Sequence, residues 1–269
     1  MLIHPQCLFS AESTEDLALD HYRAALYEHG IVNLRLNFVD RTADVLKKIV
    51  EHIGYVSAHD EQGKMQWDVK YDSNADPETA ARSLTTREFP LHTDASFEEP
   101  PPRYVGLFVV QEDSLGGGQT QLLDIRKLLP LLSSTARAVL QDSQFKFTVP
   151  AEFRRERPFI EGPILSLAGD GEVTIRYRHE VLDLEHADQS QIAAISELEE
   201  LINNPEFLDQ MFLQTGTVLL FDNGRFLHAR TVVKDKMRHL VRMRFQMPLR
   251  ASIGDHTSLT EVTEVFETL

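Results

Sequence analysis

Apolar residues keep a helical spacing near the start of the chain and fall into short strand-like runs further on. Ser13-Thr-Glu-Asp16 has the form of a capping box and predicts a helix to about His29, which Gly30 can terminate. Ile31–Leu36 reads as a strand, and Thr42–Ile53 as a second helix with Gly54 just past its end. From about His59 to Arg87 the chain is polar, has no clear period and carries the sole tryptophan, Trp67. With its flanks, 55–88 is either a lid or active-site loop or a plain surface excursion. Strand-like sequence resumes at Phe89–Leu91, Tyr104–Val110 and Thr120–Leu123. Asp124 can cap a helix from Ile125, interrupted at Pro130, and Ser134–Leu140 continues it, so 124–140 reads as a helical insertion. Phe145–Val149, Ile164–Leu167 and Val173–Arg178 are further strand candidates, and 189–203 is a second helical insertion capped by Asp188. Thr217–Phe221 suits a buried strand, Asp222-Asn223-Gly224 signals a turn, and Arg225–His228 begins the return.

The last strand candidate, Arg238–Phe245, alternates with period two. Arg238, Leu240, Arg242 and Arg244 share one face, while His239, Val241, Met243 and Phe245 share the other. Two readings are open for the arginine face. It can look at water, or it can point into a barrel, where a guanidinium needs an anionic partner. Arginine's planar fork suits bidentate binding of a carboxylate.

Composition narrows the function classes. The 269 residues can bury a sizeable core, and with no internal repeat, linker or shift in composition the expectation is one domain over 1–269. A formal charge of −15 argues against sequence-independent nucleic-acid binding, which needs clustered positive charge. One cysteine, Cys7, excludes an intramolecular disulfide and suits a reducing cytosol. The N-terminus lacks the form of a signal peptide, and no apolar run reaches the length of a membrane span. The expectation is a cytoplasmic protein acting on a small molecule, without nucleic-acid or membrane partners.

Candidate metal chemistry centres on His92-Thr93-Asp94. With 11 histidines and 42 acidic residues in 269, chance alone supplies about two His-x-Asp/Glu matches. The chain has three, and context separates them. His59-Asp60-Glu61 lies in a polar run that reads as a solvated loop, and Asp188 of His186-Ala187-Asp188 reads as a helix cap. Only His92 is framed by apolar, strand-like sequence. His228, soon after the 222–224 turn, can point into a barrel mouth; alternatively its ring is hydrogen-bonded in the core. Two imidazoles and one carboxylate can bind one face of a ferrous ion and leave the opposite face open for chemistry.

Taken together, His92-x-Asp94, Gly116-Gly-Gly-Gln-Thr120, Asp222-Asn-Gly-Arg-Phe-Leu-His228-Ala-Arg and Arg238-x-x-x-Arg242 resemble the taurine dioxygenase and clavaminate synthase group. These are iron(II)- and 2-oxoglutarate-dependent oxygenases. The resemblance covers about Phe89–Asp124 and Gly216–Met247. It implies a mainly β, α+β fold with a double-stranded β-helix (jelly-roll) core and flanking helices. It also implies iron ligands His92, Asp94 and His228, and a 2-oxoglutarate clamp of Thr120 and Arg238. Arg242 matches an arginine that in relatives reaches a substrate anion or the keto-acid end of the cosubstrate. The implied reaction spends O2 and 2-oxoglutarate to oxidise, most simply to hydroxylate, a C–H bond of a small acid or amino acid. Asp94 stands where related halogenases have a small residue, which argues against halogenation. Arg176, Arg178 and Phe97 are candidate substrate contacts; an exposed edge strand and a core aromatic are the plainer alternatives. The chain departs from the pattern at Gly224, where an arginine is common, and over Tyr55–Glu88. A zinc hydrolase using the same three ligands and a jelly-roll protein that binds metal or 2-oxoglutarate without turnover are the rival readings.

Overall fold

The computed structural model describes residues 4–59, 63–76, 79–153 and 157–248. In chain order come β1 (Leu8–Ala11), α1 (Leu19–His29), β2 (Ile31–Leu36), α2 (Asp44–Ile53), β3 (Tyr55–Ser57), β4 (Trp67–Lys70), β5 (Phe89–His92), β6 (Tyr104–Gln111) and β7 (Thr120–Asp124). There follow α3 (Ser134–Asp142), β8 (Phe145–Thr148), β9 (Phe159–Gly162), β10 (Leu165–Leu167), β11 (Val173–Ile175) and α4 (Gln189–Ile202). The chain returns through β12 (Asp209–Met211), β13 (Thr217–Asp222), β14 (Phe226–Arg230) and β15 (His239–Gln246).

Two sheets carry the site. The larger runs β1-β2-β13-β6-β15-β3, with β4 also paired to β15, and the smaller runs β12-β7-β14-β5. Alternation divides each strand between two layers. Val105 and Val109 of β6, Leu219 and Phe221 of β13 and Leu240 of β15 meet Leu122 of β7 and Phe226 of β14 in a core shared by the two sheets. The opposite faces of the same strands (Phe108, Val218, Leu220, Val241, Met243 and Phe245) pack under α1 and α2. A third apolar layer joins Leu123 and Leu227 of the smaller sheet to α3, α4 and β8–β11. This is the jelly-roll core with flanking helices that the motifs imply.

The arginine row of β15 therefore looks inward, because Val241, Met243 and Phe245 fill the helix-facing side. Arg238 and Arg244 are buried outright, and Arg242 is nearly so. Helix α2 approaches the larger sheet so closely that a Cβ on Gly106 would lie 2.7 Å from Leu46 Cδ1. No helix among the described residues is long and apolar enough to cross a membrane.

Several boundaries differ from the sequence expectation. The first helix begins at Leu19, because the Ser13 hydroxyl donates to Asp16 Oδ2 (2.9 Å) in a separate turn instead of capping a helix. Gly30 ends that helix in a left-handed conformation (φ 73°), as its sequence position suggests. The 55–88 stretch is not bare loop. β3 and β4 both pair with β15, and they escape periodicity because each shows the sheet only three or four residues. Asp124 caps a single 3-10 turn, Ile125–Lys127, and the helix proper waits for the cap at Ser133. β11 stops at Ile175, so Arg176 and Arg178 do not continue a strand face.

Leu46→Ala should lower unfolding free energy by about 2–5 kcal/mol, the cost of an unfilled core cavity. Denaturant titration checks this, with metal binding retained in the native variant.

Candidate metal centre

β5 and β14 pair so that His92 and His228 stand directly opposite each other. Their rings share one face of the smaller sheet, with centroids 4.1 Å apart. Asp94 follows β5 by two residues and returns its carboxylate to the same point. Its Oδ1 lies 3.6 Å from His92 Nε2 and 3.7 Å from His228 Nε2. The ligand atoms of the three residues all fall within 4.8 Å of one another. Phe89 stacks on the His92 ring at 3.6 Å, and His92 Nδ1 lies 2.8 Å from the Pro90 carbonyl. Donation there makes Nδ1 the protonated nitrogen and leaves the Nε2 lone pair for a ligand. His92 Nε2 and Asp94 Oδ2 are buried without a hydrogen-bond partner. Unpartnered buried acceptors around one point are what a bound cation would satisfy, so the donor set fits a divalent metal.

The turn between β13 and β14 fixes Asp94. Its backbone N–H donates to Asn223 Oδ1 at 2.7 Å. Asn223 Nδ2 donates back to the Asp94 carbonyl (3.1 Å) and to that of Pro102 (2.8 Å). One side chain thus registers the carboxylate against the strand that carries His228. Arg103 grips Asp222 of the same turn at 2.7 and 2.8 Å. Thr93, between the ligands, turns away and exchanges hydrogen bonds with the Tyr177 backbone.

Charge states follow from burial and neighbours. Burial opposes ionisation of Asp94, but the Arg242 guanidinium, 2.8 Å from Oδ1, and the two imidazoles hold its carboxyl well below the usual range. Burial, reinforced by His92, pushes His228 down to about 3, and burial also lowers His92. The resting forms, two neutral imidazoles and one carboxylate, are the ligating forms.

A second buried cation, Arg238, stands at the start of β15. Arg238, 6% exposed, folds over Gly118 and donates to its carbonyl at 3.2 Å. Gly118 has φ 58°, and a Cβ there would sit 2.5 Å from Arg238 Nε, so the site requires glycine. Thr120, also buried, follows on β7. Burial pushes Arg238 down to about 10, partly offset by Asp113. The Gly116–Gly118 run is thus the floor of an arginine site.

A cleft of about 520 Å³ opens over His92 and Asp94, walled by Phe97, Phe153, Arg178, Arg242 and Arg244 among others. Phe97 stacks on Phe153 at 5.3 Å. Arg178 enters this wall because its backbone bridges to His92, and its guanidinium pairs with Glu180 at 2.9 Å. Arg176 points elsewhere. It bonds Glu99 at 3.0 Å and lines a separate hollow with Arg103 and Gly224. The structure therefore separates the two arginines that the sequence puts on one face.

Other expectations need correction. His59 is not in a solvated loop. It is 5% exposed, lines the cleft and meets the Arg242 carbonyl at 3.2 Å. Burial, then Arg242 and Arg244, pushes it down to about 3. Asp60 and Glu61 lie outside the described residues. His186 pairs with Asp183, and Asp188 caps α4 in a capping box with Gln191, as expected. Sequence reasoning missed Asn223 as more than a turn residue. It also missed Arg244, which pairs with Glu98 at 2.8 Å, although the period-two row that contains Arg242 points to it.

A family model described as taurine catabolism dioxygenase TauD, TfdA family matches residues 8–244. Clavaminate synthase 2 of Streptomyces clavuligerus is 30% identical over 204 residues, 72% of this chain. The chain spans 60% of that curated relative's length. Among solved structures, an asparagine oxygenase with Fe(II), 2S,3S-3-hydroxyasparagine and succinate superposes with TM-score 0.70 at 19% identity, covering 85% of this chain and 77% of that one. The non-haem iron oxygenase OrfP with Fe, succinate and (3S)-hydroxy-L-Arg gives 0.69 at 17% identity, over 89% and 85%. A taurine dioxygenase from Burkholderia xenovorans gives 0.66 at 19% identity, over 88% and 85%. These structures share the fold.

Two outcomes follow from this geometry. Asn223→Ala should weaken binding of Mn²⁺ or Zn²⁺ by about 10–100-fold, the range for removing a group that orients a ligand, with the fold retained. Calorimetric titration decides it, and unchanged affinity would remove Asn223 from ligand positioning. His59 has a folded-state pKa of about 3 against an ordinary value of 6.5. The unfolded chain therefore takes up its proton first, and stability falls as pH drops from 6.5 towards 3. His59→Gln should flatten the pH dependence of the denaturation midpoint across that window; an unaltered slope would contradict it.

Proposed function

The chain belongs to the taurine catabolism dioxygenase TauD, TfdA family, and from that premise we propose that it is an iron(II)- and 2-oxoglutarate-dependent oxygenase. Its reaction is hydroxylation of an unactivated C–H bond in a small anionic or amino-acid-like molecule. The observation that carries the reading is the presence of two features on strands of one jelly-roll core: the triad at β5 and β14, and Arg238 at the start of β15, against the turn before β7. A His/Asp/His site with unpartnered acceptors occurs together with a buried arginine whose side-chain hydrogen bond goes to a backbone carbonyl. A zinc hydrolase would use the first feature and leave Arg238 without a purpose.

His92, Asp94 and His228 would hold the iron on one side. With 2-oxoglutarate as reductant, bound iron supplies activation of O2, and the cosubstrate leaves as succinate and CO2. Arg238 and Thr120, both buried, secure the distal carboxylate, and burial strengthens a charge-assisted bond. Arg242 neutralises Asp94 and offers its remaining donors to an acidic group of the substrate. Phe97 and Phe153 exclude water from the reacting carbon, and Arg178 and Arg244 give the walls a positive potential. His59 stays neutral at physiological pH and so adds no further charge. The names of the similar structures, an asparagine oxygenase and an oxygenase bound to hydroxyarginine, support an amino-acid-like substrate. The net charge of −15 favours a small molecule over nucleic acid, and the single buried thiol, Cys7, suits the cytoplasm.

Anaerobic titration of the metal-free protein with ferrous iron and then 2-oxoglutarate should produce a weak visible charge-transfer band that needs both components. No band, with tight retention of zinc, would favour the hydrolase. Arg238→Gln should raise the 2-oxoglutarate concentration for half-saturation of that band by about 10–100-fold, the equivalent of one charged hydrogen bond. Iron affinity should stay unchanged; an unaltered cosubstrate requirement would take Arg238 out of the clamp.

A further inference from the structure

We propose that Arg230 is a positioning residue that couples an anion on Arg238 to the order of residues 82–87, whose first two, Arg82 and Ser83, line the substrate cleft. The proposal rests on the reading that Arg238 takes the distal carboxylate of 2-oxoglutarate. Arg230 stands two residues beyond His228 on β14, opposite Thr120 of β7. Its side chain is buried and runs towards the 82–87 segment, where Nη2 donates to the carbonyls of Arg82 (3.3 Å), Thr85 (3.1 Å) and Arg87. The backbone just past β14 adds a further tie, from the Val233 N–H to the Thr86 carbonyl at 2.9 Å. One guanidinium thus gathers a loop that has little regular structure of its own.

That loop reaches the cleft. Arg82 and Ser83 line it, and Ser83 also accepts from the Trp67 indole at 3.1 Å. Arg82 in turn pairs with Glu180, the partner of Arg178. The position of 82–87 therefore decides where two cleft arginines stand.

The other end of the coupling is Arg238. Residues 230–232 run alongside 118–120, through Thr231 N–H to the Gln119 carbonyl (3.0 Å) and Gly118 N–H to the Val232 carbonyl (2.9 Å). Arg238 lies folded on that same Gly118. Two buried guanidiniums consequently share one neighbourhood, and the hydrogen bonds of both go to backbone carbonyls. A carboxylate arriving on Arg238 offsets the mutual repulsion of two like charges held in that neighbourhood, so the charged fork of Arg230 sits more firmly on its carbonyls. Coupling is reciprocal, so a better-ordered wall also holds the cosubstrate more tightly. If Arg230 were only a staple, the order of 82–87 would ignore what sits on Arg238.

The test is hydrogen exchange of peptides spanning 81–88 in the Mn²⁺-loaded protein, with and without 2-oxoglutarate, alongside calorimetry for cosubstrate binding. In the unsubstituted protein, 2-oxoglutarate should slow exchange there by about fivefold or more, the lower end of ordinary coupling. In Arg230→Gln that slowing should vanish, and cosubstrate affinity should fall by a similar factor. Arg230→Lys, which keeps the charge but loses the fork, should show a reduced response and serves if the glutamine variant does not fold. Binding without any slowing, or slowing undiminished in both variants, overturns the coupling and leaves the oxygenase reading intact. Failure of 2-oxoglutarate to bind the unsubstituted protein overturns both.

Discussion

The ion pair between Arg242 and Asp94 sets the terms for the rest of the site. The Asp94 carboxylate is buried among two imidazoles, one of them stacked against Phe89, and burial alone would favour its protonated form. The guanidinium at 2.8 Å keeps it ionised. An ionised Asp94 in turn leaves the imidazoles as its neighbours rather than its proton donors, and burial keeps both neutral. Breaking one member of such a pair leaves an uncompensated buried charge, which is far more costly than the pair's own net contribution is valuable. The pair is thus a condition for a ligating triad more than a source of stability.

Holding that pair in place is the task of the two sheets. β15 delivers Arg242 from the larger sheet, while β5 and β14 deliver the histidines from the smaller. The 222–225 turn carries the chain from one sheet to the other, and Asn223 within it grips the Asp94 backbone. The same short turn therefore sets the spacing between sheets and the position of the carboxylate. Helix α2 covers the outer face of β15, which leaves its arginines no direction but inward.

Legibility in the sequence follows the same physics. The β15 row can be read because period-two alternation survives wherever one face is buried. His92, Asp94 and His228 stand out because each sits in or beside apolar, strand-like sequence. His59 does not: its sequence neighbours are polar, and the groups it meets, the Arg242 carbonyl and the Trp67 ring, are distant in sequence or lie on β4. Arg176 and Arg178 mislead for a related reason. Alternation assumes a continuing strand, but β11 ends at Ile175 and the chain bends so that Arg178 alone meets His92. Asn223 carries two meanings in one residue, a turn former and a backbone clamp, and local sequence displays only the first.

Charge distribution links the whole chain to the site. The protein carries −15 overall, yet Arg82, Arg178, Arg242 and Arg244 line the cleft, and Arg230 and Arg238 are buried as well. The carboxylates among them, Asp94, Glu98 and Glu180, are fewer and are already paired. Screening confines surface fields to about 8 Å at physiological salt, so the acidic exterior reaches little of the interior. Inside, low dielectric strengthens each arginine's pull on an anion. Any pull on an anion is therefore a property of the cleft and not of the protein's long-range field. Arginine suits that task better than lysine, since its fork stays charged under the desolvation that brings Arg230 and Arg238 down to about 10.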